Sequence, residues 1–154
     1  MENLFKVKDL VMNIEETLIS HSEAETEALG AKIAGALPRG SVVLLRGNLG
    51  AGKTVFARGF ARGLGVDEAV SSPTYTIVQE YELAGGGRLY HLDLYRISGV
   101  AAALDFGIDE FLSEKKSISL IEWPERIESL LPENAVTIEI IHQGEAEREI
   151  HVRR

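Results

Sequence analysis

The sequence predicts an α/β fold, with a central parallel sheet and antiparallel strands added beside it. Three observations predict it. The run Val42, Val43, Leu44, Leu45 is short and continuously apolar, which marks a strand buried on both faces, as in a parallel sheet. A glycine-rich loop follows at once, and then an apolar face at helical spacing, so strand, loop and helix come in succession. Residues 77–83 and 88–95 are two strand-like runs joined by Gly85, Gly86 and Gly87, which allow a tight reversal. They read as an antiparallel hairpin, which a plain alternation of strands and helices would not require.

The elements follow in order. Residues 1–11 have no clear pattern and read as an N-terminal extension, with Met12 as an alternative start. Residues 14–19 form a short strand with β-branched positions. Ser22 is an N-cap, and Glu25 three residues later completes a capping box. Ala24, Ala28, Ile33 and Leu37 mark one face of the helix that follows, until Pro38 and Gly40 stop it. After the buried run at 42–45, the positions Val55, Phe56, Phe60 and Leu64 make a second helix ending at Gly65, with Arg58 and Arg62 on a solvent-facing side. A polar loop at 70–76 contains Pro73 and leads into the hairpin. Residues 98–112 hold short helices broken near Gly107. Ser117 to Ile121 is a second buried strand. A helix starting at Pro124 ends before Pro132. Residues 136–141 and 149–152 are closing strands around a turn containing Gly144.

Composition bounds the rest. The chain has 154 residues, which suits one domain over 1–154 with one sizeable core. Its formal charge of -8 favours solubility and argues against a large nucleic-acid footprint, although not against work beside an RNA-binding partner. DNA is not an expected partner. With no cysteine, a disulfide framework and a thiolate metal site are excluded. No signal peptide or membrane-spanning run is visible, so no membrane partner is expected and the cytoplasm is the default compartment.

The loop at 47–54 reads Gly47, Asn48, Leu49, Gly50, Ala51, Gly52, Lys53, Thr54 and satisfies G-x-x-x-x-G-K-[S/T]. Its glycines let backbone N–H groups point inward, and the helix behind it adds the orphan donors of its first turn. Asn48, Leu49, Gly50, Ala51, Gly52, Lys53, Thr54 and Val55 are therefore the expected nucleotide-binding set. Lys53 reaches the β and γ phosphates, and Thr54 offers a hydroxyl to Mg2+.

An acidic residue near that cation is the next requirement. Glu122 ends the buried strand 117–121, where ligands of open sheets gather, and is the first choice. Asp93 alternates with Leu92 and Leu94, so it is either functional or solvent-facing. Either acid serves as a direct ligand or as a water-orienting group. Thr74 and Thr76 offer hydroxyls that sense the γ phosphate or simply cap the local turn. Trp123, beside Glu122, either packs near the nucleotide or is an ordinary aromatic. His91 shares the Asp93 face and reads as a hydrogen-bonded histidine rather than a zinc ligand. Asp105, Phe106 and Gly107 imitate the metal-binding triplet of protein kinases, but the chain has no His-Arg-Asp catalytic loop. A small-molecule kinase is the alternative function, although Arg88, Arg96 and Arg126 do not form a lid-like cluster. Nor is there an Asn/Thr-Lys-x-Asp segment of the kind that selects guanine.

Four segments in order, GNLGAGKT at 47–54, SSPTYTIVQEY at 71–81, HLDLYR at 91–96 and LIEWPER at 120–126, resemble the TsaE (YjeE) family. The phosphate loop is common to many families, but the other three segments together are far more specific. The resemblance implies a P-loop nucleoside triphosphate hydrolase fold that binds ATP and Mg2+. It implies phosphate binding by Lys53, magnesium binding by Thr54 and Glu122, a second acid needed for activity at Asp93, a switch-like region at Thr76, and Trp123 near the nucleotide. It further implies an ATPase that works with TsaD and TsaB proteins in forming N6-threonylcarbamoyladenosine at position 37 of tRNA, touching tRNA only through that assembly.

Overall fold

The computed structural model describes residues 15–48, 50–70 and 76–154. The N-terminal extension, Leu49, Thr74 and the start of the polar loop at Ser71 lie outside the described residues.

The second half of the capping box closes one residue early. The Ser22 side chain accepts from the Glu25 backbone N–H at 3.1 Å, while Glu25 Oε1 accepts from the His21 N–H at 3.3 Å. This cap starts helix α1 (Glu23–Ala36) directly after strand β1 (Glu15–Ser20). It also sets the helix rotation: Ile33 and Leu37 are buried as expected, and the face is corrected at its two alanines. Thr26, Leu29, Gly30, Ile33 and Ala34 are buried, whereas Ala24 and Ala28 face solvent. Alanine is comfortable in a helix whether covered or not, so its spacing misleads.

The buried run forms β2 (Val42–Arg46), and helix α2 (Lys53–Gly63) leaves the glycine loop behind it. Helices α1 and α2 pack backbone to backbone. A Cβ at Gly59 would collide with the Glu27 carbonyl, and one at Gly63 with that of Ala31. Glu27 then bridges to Arg58 and Arg62. Arg62 is exposed as expected, whereas Arg58 is half-buried against α1.

The hairpin comprises β3 (Val78–Glu82) and β4 (Arg88–Asp93), paired antiparallel. Strand β4 stops at Asp93 rather than running to residue 95. Short helices α3 (Val100–Phe106) and α4 (Ile108–Leu112) meet at Gly107, whose φ of 86° makes the break. Strand β5 (Ile118–Glu122) follows, then a 3-10 segment (Pro124–Leu130) kinked at Ile127 where a plain helix was expected. Strands β6 (Val136–Gln143) and β7 (Glu147–Arg153) close the chain and are longer than the sequence suggested.

These strands form one seven-stranded sheet in the order β1-β7-β6-β2-β5-β4-β3. The β6–β2–β5–β4 portion is parallel, and both edges are antiparallel. The fold class is therefore the expected α/β arrangement. Val43 and Leu45 enter the core beneath α1 and α2, while Val42 and Leu44 enter a second core with Leu92, Ile108 and Ile121. Burial on both faces explains why this strand reads as an unbroken apolar run.

Candidate functional site

Strands β2, β4 and β5 point their C-terminal ends toward the start of α2, because parallel pairing aligns them. Period-two alternation then sorts their side chains. Leu89, His91 and Asp93 share one face of β4; Ile118, Leu120 and Glu122 share the same face of β5. Asp93 and Glu122 are register partners on adjacent strands. Both are buried, at 6% and 5% exposure, which decides the alternative left open for Asp93 against a solvent-facing acid. Asp93 Oδ1 accepts from the Tyr95 N–H at 3.0 Å. Glu122 Oε2 is 2.7 Å from His91 Nε2, so His91 is the hydrogen-bonded residue expected of it.

The glycine loop reaches α2 through Gly52, whose φ of 107° is a conformation that glycine adopts without strain. Lys53 comes next and is itself buried. Its Nζ lies 4.5 Å from the centre of the Trp123 ring, and among the described residues it makes no ion pair. Trp123 holds this position with a left-handed backbone (φ 59°) and packs against Tyr95 at 5.0 Å between ring centres. A non-glycine residue in that region is uncommon, and such strain clusters at functional sites.

A cavity of about 620 Å³ collects these groups. Gly50, Gly52, Lys53, Thr54, Val55, Asp93, Glu122 and Trp123 line it, so most of the residues expected from the sequence converge. Three do not. Asn48 is exposed, and its carbonyl accepts from the Ala51 N–H at 3.0 Å; Ala51 is buried. Thr76 is exposed, and its hydroxyl is 3.1 Å from Gln79 Nε2, which donates to it.

The far wall of the cavity comes from elements without a recognisable motif, Glu23 and Thr26 on α1 and Glu145, Ala146 and Arg148 at the β6–β7 hairpin. Arg148 is the residue that sequence reasoning missed. Its Nε donates to the Ala51 carbonyl at 2.8 Å, tying the last hairpin to the glycine loop. One signal was available. Arg148, Ile150 and Val152 share a strand face, and the latter two are buried, so a cation occupies an otherwise apolar row.

The family model described as threonylcarbamoyl adenosine biosynthesis protein TsaE matches residues 20–150. This chain belongs to the TsaE family. The tRNA threonylcarbamoyladenosine biosynthesis protein TsaE of Bacillus subtilis is 43% identical over 126 residues, covering 82% of this chain and 77% of the relative. The protein of the same name from Treponema pallidum is 40% identical over 134 residues, covering 87% of this chain and 97% of the relative. The crystal structure of Bacillus subtilis YdiB superposes with a TM-score of 0.76 at 36% identity, covering 92% of this chain and 86% of that one. The TsaE resemblance carried by the four sequence segments is thus confirmed across the mixed α/β sheet. Among the described residues no helix is long and apolar enough to cross a membrane.

Proposed function

We propose that this chain is a magnesium-dependent ATPase with a P-loop fold, serving the cytoplasmic system that forms threonylcarbamoyladenosine on tRNA. The observation that carries the reading is the convergence of Lys53, Asp93 and Glu122 on one cavity at the start of α2. Lys53 is a buried cation resting on an aromatic face, so its charge is available to an anionic ligand. The α2 N-terminus brings further unpaired N–H donors and the positive end of the helix to the same place. The cavity volume falls in the range of small-molecule and cofactor sites, roughly 300–1,000 Å³.

The donor set also fits Mg2+. Two buried carboxylates stand side by side on β4 and β5, an arrangement whose mutual repulsion a divalent cation relieves. Thr54 and Glu122 both line the cavity and would hold the ion through a hydroxyl and a carboxylate. Bound there, magnesium neutralises phosphate charge. Lys53 binds phosphate oxygens. Asp93, fixed by its hydrogen bond to the Tyr95 N–H, orients water or the cation shell. Arg148 holds the glycine loop against the hairpin.

The family membership supports a place in the tRNA modification system, with TsaD and TsaB homologues as partners and tRNA met only through them. The chain's own charge of -8 suits a protein that binds a protein assembly rather than RNA directly. ATP turnover measured alone, then with TsaD, TsaB and tRNA, tests the proposal. Stimulation by the partners is expected. Turnover indifferent to them, or undiminished in Lys53→Ala, contradicts it.

A further inference from the structure

His91 is buried at 2% exposure on β4, two residues before Asp93, on the face that looks toward α2. Its Nε2 lies 2.7 Å from Glu122 Oε2, and its Nδ1 is buried with no hydrogen-bond partner among the described residues. A carboxylate only accepts, so the shared hydrogen sits on Nε2. That hydrogen bond holds one carboxylate oxygen of Glu122, a residue that lines the cavity.

We infer that His91 is a positioning residue for the cation site: it fixes Glu122 Oε2 and thereby aims Oε1 into the cavity. The inference rests on the proposed role of Glu122. Outer hydrogen bonds of this kind typically govern metal affinity by about 10–100-fold.

The test compares affinity for the non-hydrolysable β,γ-imido analogue of ATP with Mg2+ and with EDTA, by calorimetry on the full chain. The ratio of the two affinities measures the cation's contribution. His91→Phe should lower that ratio by about tenfold while leaving the EDTA affinity within about twofold. His91→Gln, whose amide N–H can occupy the Nε2 position, should restore most of it. If His91→Phe fails to fold, His91→Asn replaces it, since the shorter amide cannot reach Glu122. A ratio unchanged without the donor, or lowered equally by Gln and Phe or by Gln and Asn, overturns the inference. Glu122→Gln separates the two claims. If it lowers the ratio while the histidine variants do not, only the positioning role fails; if it too leaves the ratio unchanged, the proposed role of Glu122 fails first.

Discussion

Strands β4 and β5 carry a polar cluster at each end, and the two clusters differ in what they leave open. At the N-terminal end, Ser117 Oγ accepts from the Arg88 N–H at 3.0 Å and donates to Glu114 Oε1 at 3.0 Å, while the Tyr90 hydroxyl donates to Glu114 Oε2. Arg39 closes this end by donating to the carbonyls of Ala84, Gly86 and Lys116. At the C-terminal end, Asp93 and Glu122 are buried side by side, His91 supports one carboxylate oxygen, and Lys53 rests on an aromatic ring. The first cluster is a closed hydrogen-bond circuit. The second concentrates charge around a cavity. Parallel pairing explains the asymmetry, because only the C-terminal ends meet the N-terminus of the helix that follows the glycine loop.

Breaking the C-terminal end should therefore damage binding and spare stability, while breaking the other end should do the reverse. The largest effect is expected from Lys53→Ala, which should reduce ATP turnover by about a hundredfold or more with little change in Tm. Glu122→Gln should abolish most of the magnesium-dependent gain in nucleotide affinity. Its Tm in the absence of ligand should hold or rise, because one of two adjacent buried charges is removed. Arg148→Ala should weaken nucleotide binding by about tenfold, with and without Mg2+, since a charge-assisted bond to the glycine loop is lost.

The smallest effect belongs to the N-terminal end. The Tyr90 hydrogen bond, and then that of Ser117, hold the Glu114 carboxyl below its usual range, and burial pushes the Tyr90 phenol up. A lowered carboxyl stabilises the fold above its unfolded pKa, and that stability is lost as pH falls through the folded value. A raised phenol stabilises it below its unfolded value of about 10, and that stability is lost as pH rises through the folded value. Tyr90→Phe should lower Tm by a few degrees near neutral pH and flatten both limbs of the Tm profile, leaving nucleotide affinity unchanged. A loss of affinity would show that the two ends are not separable.

The same contrast governs what the sequence could convey. The parallel strands are legible because burial on both faces leaves an unbroken apolar run, and the glycine loop because its conformation restricts residue type. Glu122 and Asp93 are found by alternation and by their place at strand ends. For Arg148 alternation marks only a cation in an apolar row of β7, because its partner Ala51 lies 97 residues away and no local pattern records the contact itself. On α1 the expected Ile33 and Leu37 are buried but Ala24 and Ala28 are not, because the packing on α2 runs through glycine and backbone, whereas alanine spacing records only helix preference. Trp123 lines the same cavity, and its left-handed backbone, which lets the ring meet Lys53, has no signature in residue type.

The central claim is that the cavity at the start of α2 is a magnesium–nucleotide site, and the chain's single tryptophan, Trp123, stands at its wall. Tryptophan fluorescence titrated with ATP, in Mg2+ and in EDTA, for the unaltered chain and Lys53→Ala, tests that claim most directly. A saturable change that is tighter with Mg2+ and lost in Lys53→Ala is the result expected. No response to ATP, or the same curve in both proteins, would contradict the account.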